Sequence, residues 1–130
     1  PFVRYKTGDV VKVIDSTCAC GRKSQIIGDI IGRSDDVIQF SHGHVINYLH
    51  LYQSFRGVKE LNQYKVVFYK NSEKLEFIFS LKKDYNKNLV INNLHSIILN
   101  NFENLEYSLT IVDEIAISKS GKFKIVEVLD

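Results

Sequence analysis

Three short clusters in this 130-residue sequence carry residue types suited to nucleotide chemistry. The first is Tyr5-Lys6-Thr7-Gly8-Asp9. Gly8 permits a tight backbone bend, and Asp9 then presents an anionic double acceptor that suits both hydroxyls of a ribose. The second is Gly32-Arg33-Ser34-Asp35-Asp36. Arg33 can clamp phosphate or sugar oxygens, and Asp35 falls where the backbone can swivel. The third is Lys119-Ser120-Gly121-Lys122. A lysine on a glycine-containing loop can reach a phosphate and offset charge that develops in a transition state. The cluster has a single glycine, so it is not a phosphate-cradling loop of the Gly-x-x-x-x-Gly-Lys type. Each cluster alone also reads as a polar turn: one opening a strand, one between two strands, one before a final strand.

Cys18-Ala19-Cys20-Gly21 follows the first cluster and reads as a turn. Cys18 and Cys20 are weak zinc candidates, since a structural site needs four ligands. His42 and His44 would complete a two-Cys, two-His set if their hairpin folded back, and ligands from outside the chain are an alternative. The simplest reading is a turn with two free thiols. His50 and His95 fall in helical segments and read as hydrogen-bonded structural residues. No Cys–His or Ser–His pairing is legible, so covalent catalysis has no support.

The elements that must position these residues follow from periodicity. Val10 to Ile14 and Gln25 to Ile31 are β-rich runs, the second interrupted by Gly28. Val37 to Phe40 and Val45 to Asn47 form a hairpin around Ser41-His42-Gly43-His44. Tyr48 to Phe55 is a helix, with Leu49, Tyr52 and Phe55 on one face and Gly57 where a cap would fall. Gln63 to Tyr69 and Leu75 to Leu81 are strands joined by Asn71-Ser72-Glu73. In the second, Leu75, Phe77, Phe79 and Leu81 share one face. Leu89 to Phe102 is a helix with Leu94, Ile97, Ile98 and Phe102 in its apolar stripe. Tyr107 to Val112 and Phe123 to Val128 are the last two strands. The order predicts an α+β fold, a mainly antiparallel sheet with two helices on one face, preceded by a short β-rich segment. A boundary near Ser34-Asp35 divides the chain into 1–34 and 35–130.

Composition bounds the function. Hydrophobic residues make up 45% and charged residues 25%, the balance of a globular domain, and the formal net charge is +2. That charge produces no field that argues for nucleic acid, and no basic stripe with stacking aromatics is present. Lys82-Lys83 is followed by Asp84 and reads as a solvated turn. No apolar run reaches the roughly 20 residues of a membrane span, and no signal-peptide pattern is present. The chain starts at Pro1 and has no Met, the expectation for a fragment, a processed product or an excised domain. Two cysteines without a secretory signature favour the reducing cytoplasm.

In their order, the three clusters resemble the C-terminal portion of an adenylate-forming ligase. Cys18-Ala19-Cys20-Gly21-Arg22 and Gln63-Tyr64-Lys65-Val66-Val67 narrow the resemblance to the phenylacetate–CoA ligase group, with its relatives in capsular polysaccharide biosynthesis. The resemblance implies that Asp9 holds the ribose of ATP and that Arg33 contacts the nucleotide. It implies that Asp35 is the hinge to a small C-terminal domain and that Lys122 is catalytic, binding the acyl carboxylate and α-phosphate. It further implies ATP and Mg²⁺ in the complete enzyme, CoA or another acceptor, a small carboxylic acid substrate, and a large N-terminal domain as partner. The 130 residues alone are then not expected to catalyse. Ser41 to Asn47 departs from the family pattern: it is one residue longer and lacks the usual basic residue and proline. In the family this loop lines the acceptor's path, so the departure bears on whether CoA is the acceptor. The rival class is a non-catalytic module of ligase ancestry that docks on a protein or carrier.

Overall fold

Alternation along two adjacent strands builds the centre of the molecule. The structure, a computed structural model, describes residues 4–14, 17–83, 85–117 and 123–130, with Asp35 described in its backbone alone. In chain order the elements are β1 (Asp9–Ile14), β2 (Ile26–Arg33), a single 3-10 turn (Ser34–Asp36), β3 (Val37–Gln39), β4 (Val45–Asn47), α1 (Tyr48–Phe55), β5 (Leu61–Tyr69), β6 (Lys74–Leu81), α2 (Lys87–Asn101), β7 (Tyr107–Val112) and β8 (Val126–Leu129). The main sheet has four strands in the order β7-β6-β5-β8, and β1-β2 and β3-β4 form separate two-stranded ribbons. Within the described residues three of the five pairings are antiparallel; β6 with β7 and β5 with β8 are parallel.

One face of the main sheet carries the core. Val66 and Phe68 of β5, Leu75, Phe77 and Phe79 of β6 and Val126 of β8 pack there. Leu51 and Phe55 of α1 join them, as do Val90, Leu94 and Ile98 of α2 and Phe102 at its end. Both helices therefore lie on the same face, as the α+β pattern predicts. The Phe55 ring is 5.1 Å from Phe79, 5.9 Å from Phe77 and 6.2 Å from Phe102, so it ties α1 to the sheet and to α2. The opposite face is more polar: Glu76 accepts hydrogen bonds from Tyr69 (2.8 Å) and Thr110 (3.0 Å), and Ser80 donates to the Asp113 carbonyl.

Three sequence expectations shift. In α1 the buried residues are Leu51 and Phe55, spaced i, i+4, while Leu49 and Tyr52 are exposed. The sheet and Phe102 meet that i, i+4 stripe, and periodicity alone does not fix which side of a short helix faces inward. The second helix starts at Lys87 because the Asn86 side chain accepts from the Leu89 N–H, and this first turn adds Val90 to the buried stripe. The last strand starts at Val126 rather than Phe123, since its partner pairing begins at Val66–Val126. Among the described residues no helix is long and apolar enough to cross a membrane.

β7 and β8 occupy opposite edges of the sheet, so the connection between them runs from one edge to the other. Ser120-Gly121-Lys122 belongs to that connection and lies outside the described residues.

Phe77→Ala should lower unfolding free energy by about 3–5 kcal/mol in chemical denaturation, because the fully buried ring leaves a cavity between both helices and the sheet. Leu89→Ala, at a position 69% exposed, should stay within about 0.5 kcal/mol of the parent chain.

Candidate functional site

The β1–β2 ribbon joins two clusters that lie more than twenty residues apart. Asp9 and Arg33 are direct partners in the antiparallel register. Directly opposed residues of such a pair project to the same side, so a carboxylate and a guanidinium share one face at one end of the ribbon. Both residues are exposed. The Ser34 N–H donates to the Gly8 carbonyl at 2.7 Å and continues the linkage past the last ladder pair. Gly8 has φ of +77°, the left-handed conformation that lets the chain turn into β1, and the Asp9 N–H donates to Thr7 Oγ1 at 3.3 Å. A register irregularity lies next to this end, between Val10 and Val11, which is a common device for re-aiming strand ends near sites.

Gly32 and the 3-10 turn carry the chain from this ribbon into the α+β unit. Gly32 has φ of +151°, which a side chain would strain. Asp35 is the middle residue of the 3-10 turn, between the ribbon and β3. The structure thus brings Asp9, Arg33 and the backbone of Asp35 to one end of the ribbon. Lys122, the fourth residue that the sequence singles out there, lies outside the described residues.

An open cleft of about 930 Å³ flanks this end, with Ser34, Gln39, Ser41, Lys70, Glu73 and Lys124 among its lining residues. Its floor is apolar where Phe40 packs on Phe68, ring centres 4.8 Å apart. The β3–β4 loop borders the cleft. It folds as the expected hairpin, with Gly43 at φ of +89° and the Phe40 N–H donating to the His44 carbonyl at 2.9 Å. Glu73 holds this loop: its carboxylate accepts from the Ser41 N–H at 2.6 Å and lies 3.9 Å from His42 Nδ1. These contacts, the Ser41 backbone above all, hold the Glu73 carboxyl below its usual range. From the sequence Glu73 reads only as a turn residue. Its partner is 32 positions away, and no local signal announces the contact.

Cys18 and Cys20 lie at the far end of the ribbon from Asp9. The Gly21 N–H closes the turn on the Cys18 carbonyl at 2.9 Å, and the two Sγ atoms are 2.8 Å apart. Both thiols are free. The Cys18 contact, then the Arg22 backbone, hold the Cys20 thiol below the ordinary thiol pKa. Among the described residues no group of three or more His, Cys, Asp or Glu forms a metal cluster, so His42 and His44 do not complete a set with the cysteines. His42 and His44 instead stack on each other beside Phe40. His95 Nδ1 is 3.0 Å from the Tyr107 hydroxyl, and burial against Phe102 lowers the basicity of His50; both fit the structural roles expected of them.

No protein-family model matches the chain, and no curated protein matches it. Solved structures do. The chain resembles a structure from studies of fatty acyl-adenylate ligases from E. coli and L. pneumophila (TM-score 0.59, 14% identity, 91% of this chain and 20% of that one). It also resembles the anthranilate CoA ligase AuaEII in complex with anthranoyl-AMP (TM-score 0.57, 17% identity, 91% and 22%). A third is a domain of phenylacetate-coenzyme A ligase from Bacteroides vulgatus (TM-score 0.52, 16% identity), which matches over 73% of this chain and 93% of that one. The chain has the fold of a portion of adenylate-forming ligases, and that match fits the C-terminal portion the three clusters imply. It spans about a fifth to a quarter of the length of the complete ligases it matches.

The stability that Glu73 contributes through Ser41 is a depressed-carboxyl effect. It is fully present above the ordinary glutamate range and is lost as pH falls through that range and below it. Denaturation midpoints measured from neutral to acidic pH should therefore fall less steeply for Glu73→Gln than for the parent chain; equal slopes would remove the clamp from the account.

Proposed function

We propose that the chain is the C-terminal part of an adenylate-forming ligase, which activates a carboxylic acid with ATP to an acyl-adenylate and passes it to CoA or another acceptor. The observation that carries this reading is the Asp9–Arg33 pairing beside the 3-10 turn, within a fold shared with such ligases. On this reading residues 1–34 belong to a large domain and residues 35–130 form the small one. The second span is about three quarters of the chain, in keeping with the 73% that the phenylacetate-coenzyme A ligase domain covers.

The residues present suit the nucleotide. Asp9 is an exposed carboxylate at a tight turn and accepts the two ribose hydroxyls; Arg33, on the same face, supplies a delocalised cation for sugar or phosphate oxygens. Mg²⁺, when bound with ATP, offsets charge on the phosphates. Lys122 binds the acyl carboxylate and α-phosphate, and its charge favours the transition state of adenylate formation. Rotation of the small domain about Asp35 then withdraws Lys122 and admits the acceptor. Gly32, in a backbone region that other residues avoid, and the single 3-10 turn are the short segment in which such a rotation is absorbed. The Ser41 to Asn47 loop, held by Glu73, faces the acceptor on this reading, and its departure from the family pattern points to an acceptor other than CoA or to a differently held one.

Two variants of the complete ligase carrying this sequence test the assignment. Lys122→Ala should cut acid-dependent pyrophosphate release by 100-fold or more, roughly the loss of one charge-stabilising contact, while transfer from a supplied acyl-adenylate continues. Normal adenylation in this variant would remove Lys122 from the mechanism. Asp9→Ala should raise the KM for ATP by about tenfold, a loss near 1.4 kcal/mol, with little change for the acid.

A further inference from the structure

The Cys18–Cys20 turn has no role in the reading above. It lies at the end of the ribbon where Ile14 pairs with Ile26, opposite the end where Asp9 pairs with Arg33. The geometry is specific. A tight turn, closed by the Gly21 N–H on the Cys18 carbonyl, places the two sulfurs 2.8 Å apart. Gly21, at φ of +76°, takes the left-handed conformation that closes this turn without strain. Cys20 is exposed and Cys18 is half-exposed. An accessible thiol beside a second thiol is the arrangement of a cysteine pair that undergoes reversible oxidation, one sulfur attacking and the other resolving. Arg22 and Lys23 follow directly, both exposed, and favour the approach of an anionic reagent.

We infer that Cys18 and Cys20 form a thiol–disulfide exchange site that takes an anionic low-molecular-weight disulfide such as glutathione disulfide. The Cys20 thiolate attacks one sulfur of the reagent; the reagent's S–S bond breaks, and one thiolate leaves with the bonding pair and takes a proton from water. This forms a mixed disulfide on Cys20. Cys18 then gives up its proton and attacks Cys20 Sγ, which closes the Cys18–Cys20 bond and releases the second thiol. Two protein thiols are oxidised, and one disulfide is reduced to two thiols. Ring closure spans one intervening residue, Ala19, so the change stays within the turn.

The test uses the full chain, reduced and then equilibrated with a chelator in glutathione buffers of rising oxidised fraction. Samples are quenched with an alkylating agent and weighed by intact mass spectrometry. The expected product is a monomer lighter by two hydrogens, with no alkyl group added, that dithiol reductant returns to the starting mass. Cys18→Ser should stop at one glutathione on Cys20. Half-conversion of the parent chain should need about tenfold less glutathione disulfide than half-modification of that variant, because its second step is intramolecular. Two glutathiones on the parent chain, disulfide-linked dimers, or alkylation of both cysteines at every ratio would overturn the proposal. The result does not depend on the ligase assignment, since no step uses ATP, an acid or Lys122.

Discussion

Burial of the Phe77 side of β6 is the constraint on which the rest of the structure rests. Leu75, Phe77 and Phe79 are fully buried, and the Phe77 ring meets both Phe55 of α1 and Phe102 at the end of α2. α1 reaches them through Phe55 and α2 through Leu94, Ile98 and Phe102, so both helices are recruited to one face. With β6 inside, β5 pairs along its whole length, and the remaining strands add at the two edges. β7 and β8 end on opposite sides, and the connection carrying Lys122 has to run between them.

A second, weaker linkage sits outside this core. The β1–β2 ribbon has exposed Val13, Ile14, Ile27 and Ile30, and a lone two-stranded ribbon is marginal in water. At the end nearest the core Asp9 faces Arg33 and Ser34 bonds to Gly8. The ribbon and the α+β unit meet through a glycine and one 3-10 turn. Such a join keeps register on each side with only a few backbone angles between them.

Much of this was legible in the chain. The alternation of Leu75, Phe77 and Phe79 located the central strand and its buried face, and the bounds of α1 and β7 follow from periodicity alone. The α+β pattern and its two helices on one face were also readable. The inward side of α1 was not: Leu49, Tyr52 and Phe55 are as regular on a helical wheel as Leu51 and Phe55, and only tertiary packing chooses between them. Parallel pairing at both edges was equally hidden, since a strand's direction leaves no mark on its own residues. At the site, residue chemistry pointed to Asp9 and Arg33 separately, and the pairing that unites them is a matter of register. Glu73 left no trace in the sequence, because a carboxylate that accepts one distant backbone N–H looks like any other polar turn residue.

The central claim is that these elements are part of a ligase that makes an acyl-adenylate. The most direct measurement is exchange of labelled pyrophosphate into ATP by the complete protein carrying this sequence, with a panel of aryl and short aliphatic carboxylates that starts with phenylacetate. Exchange that requires both Mg²⁺ and one class of acid is the predicted result. Exchange with none of the acids, from protein that is folded and binds ATP, would contradict it.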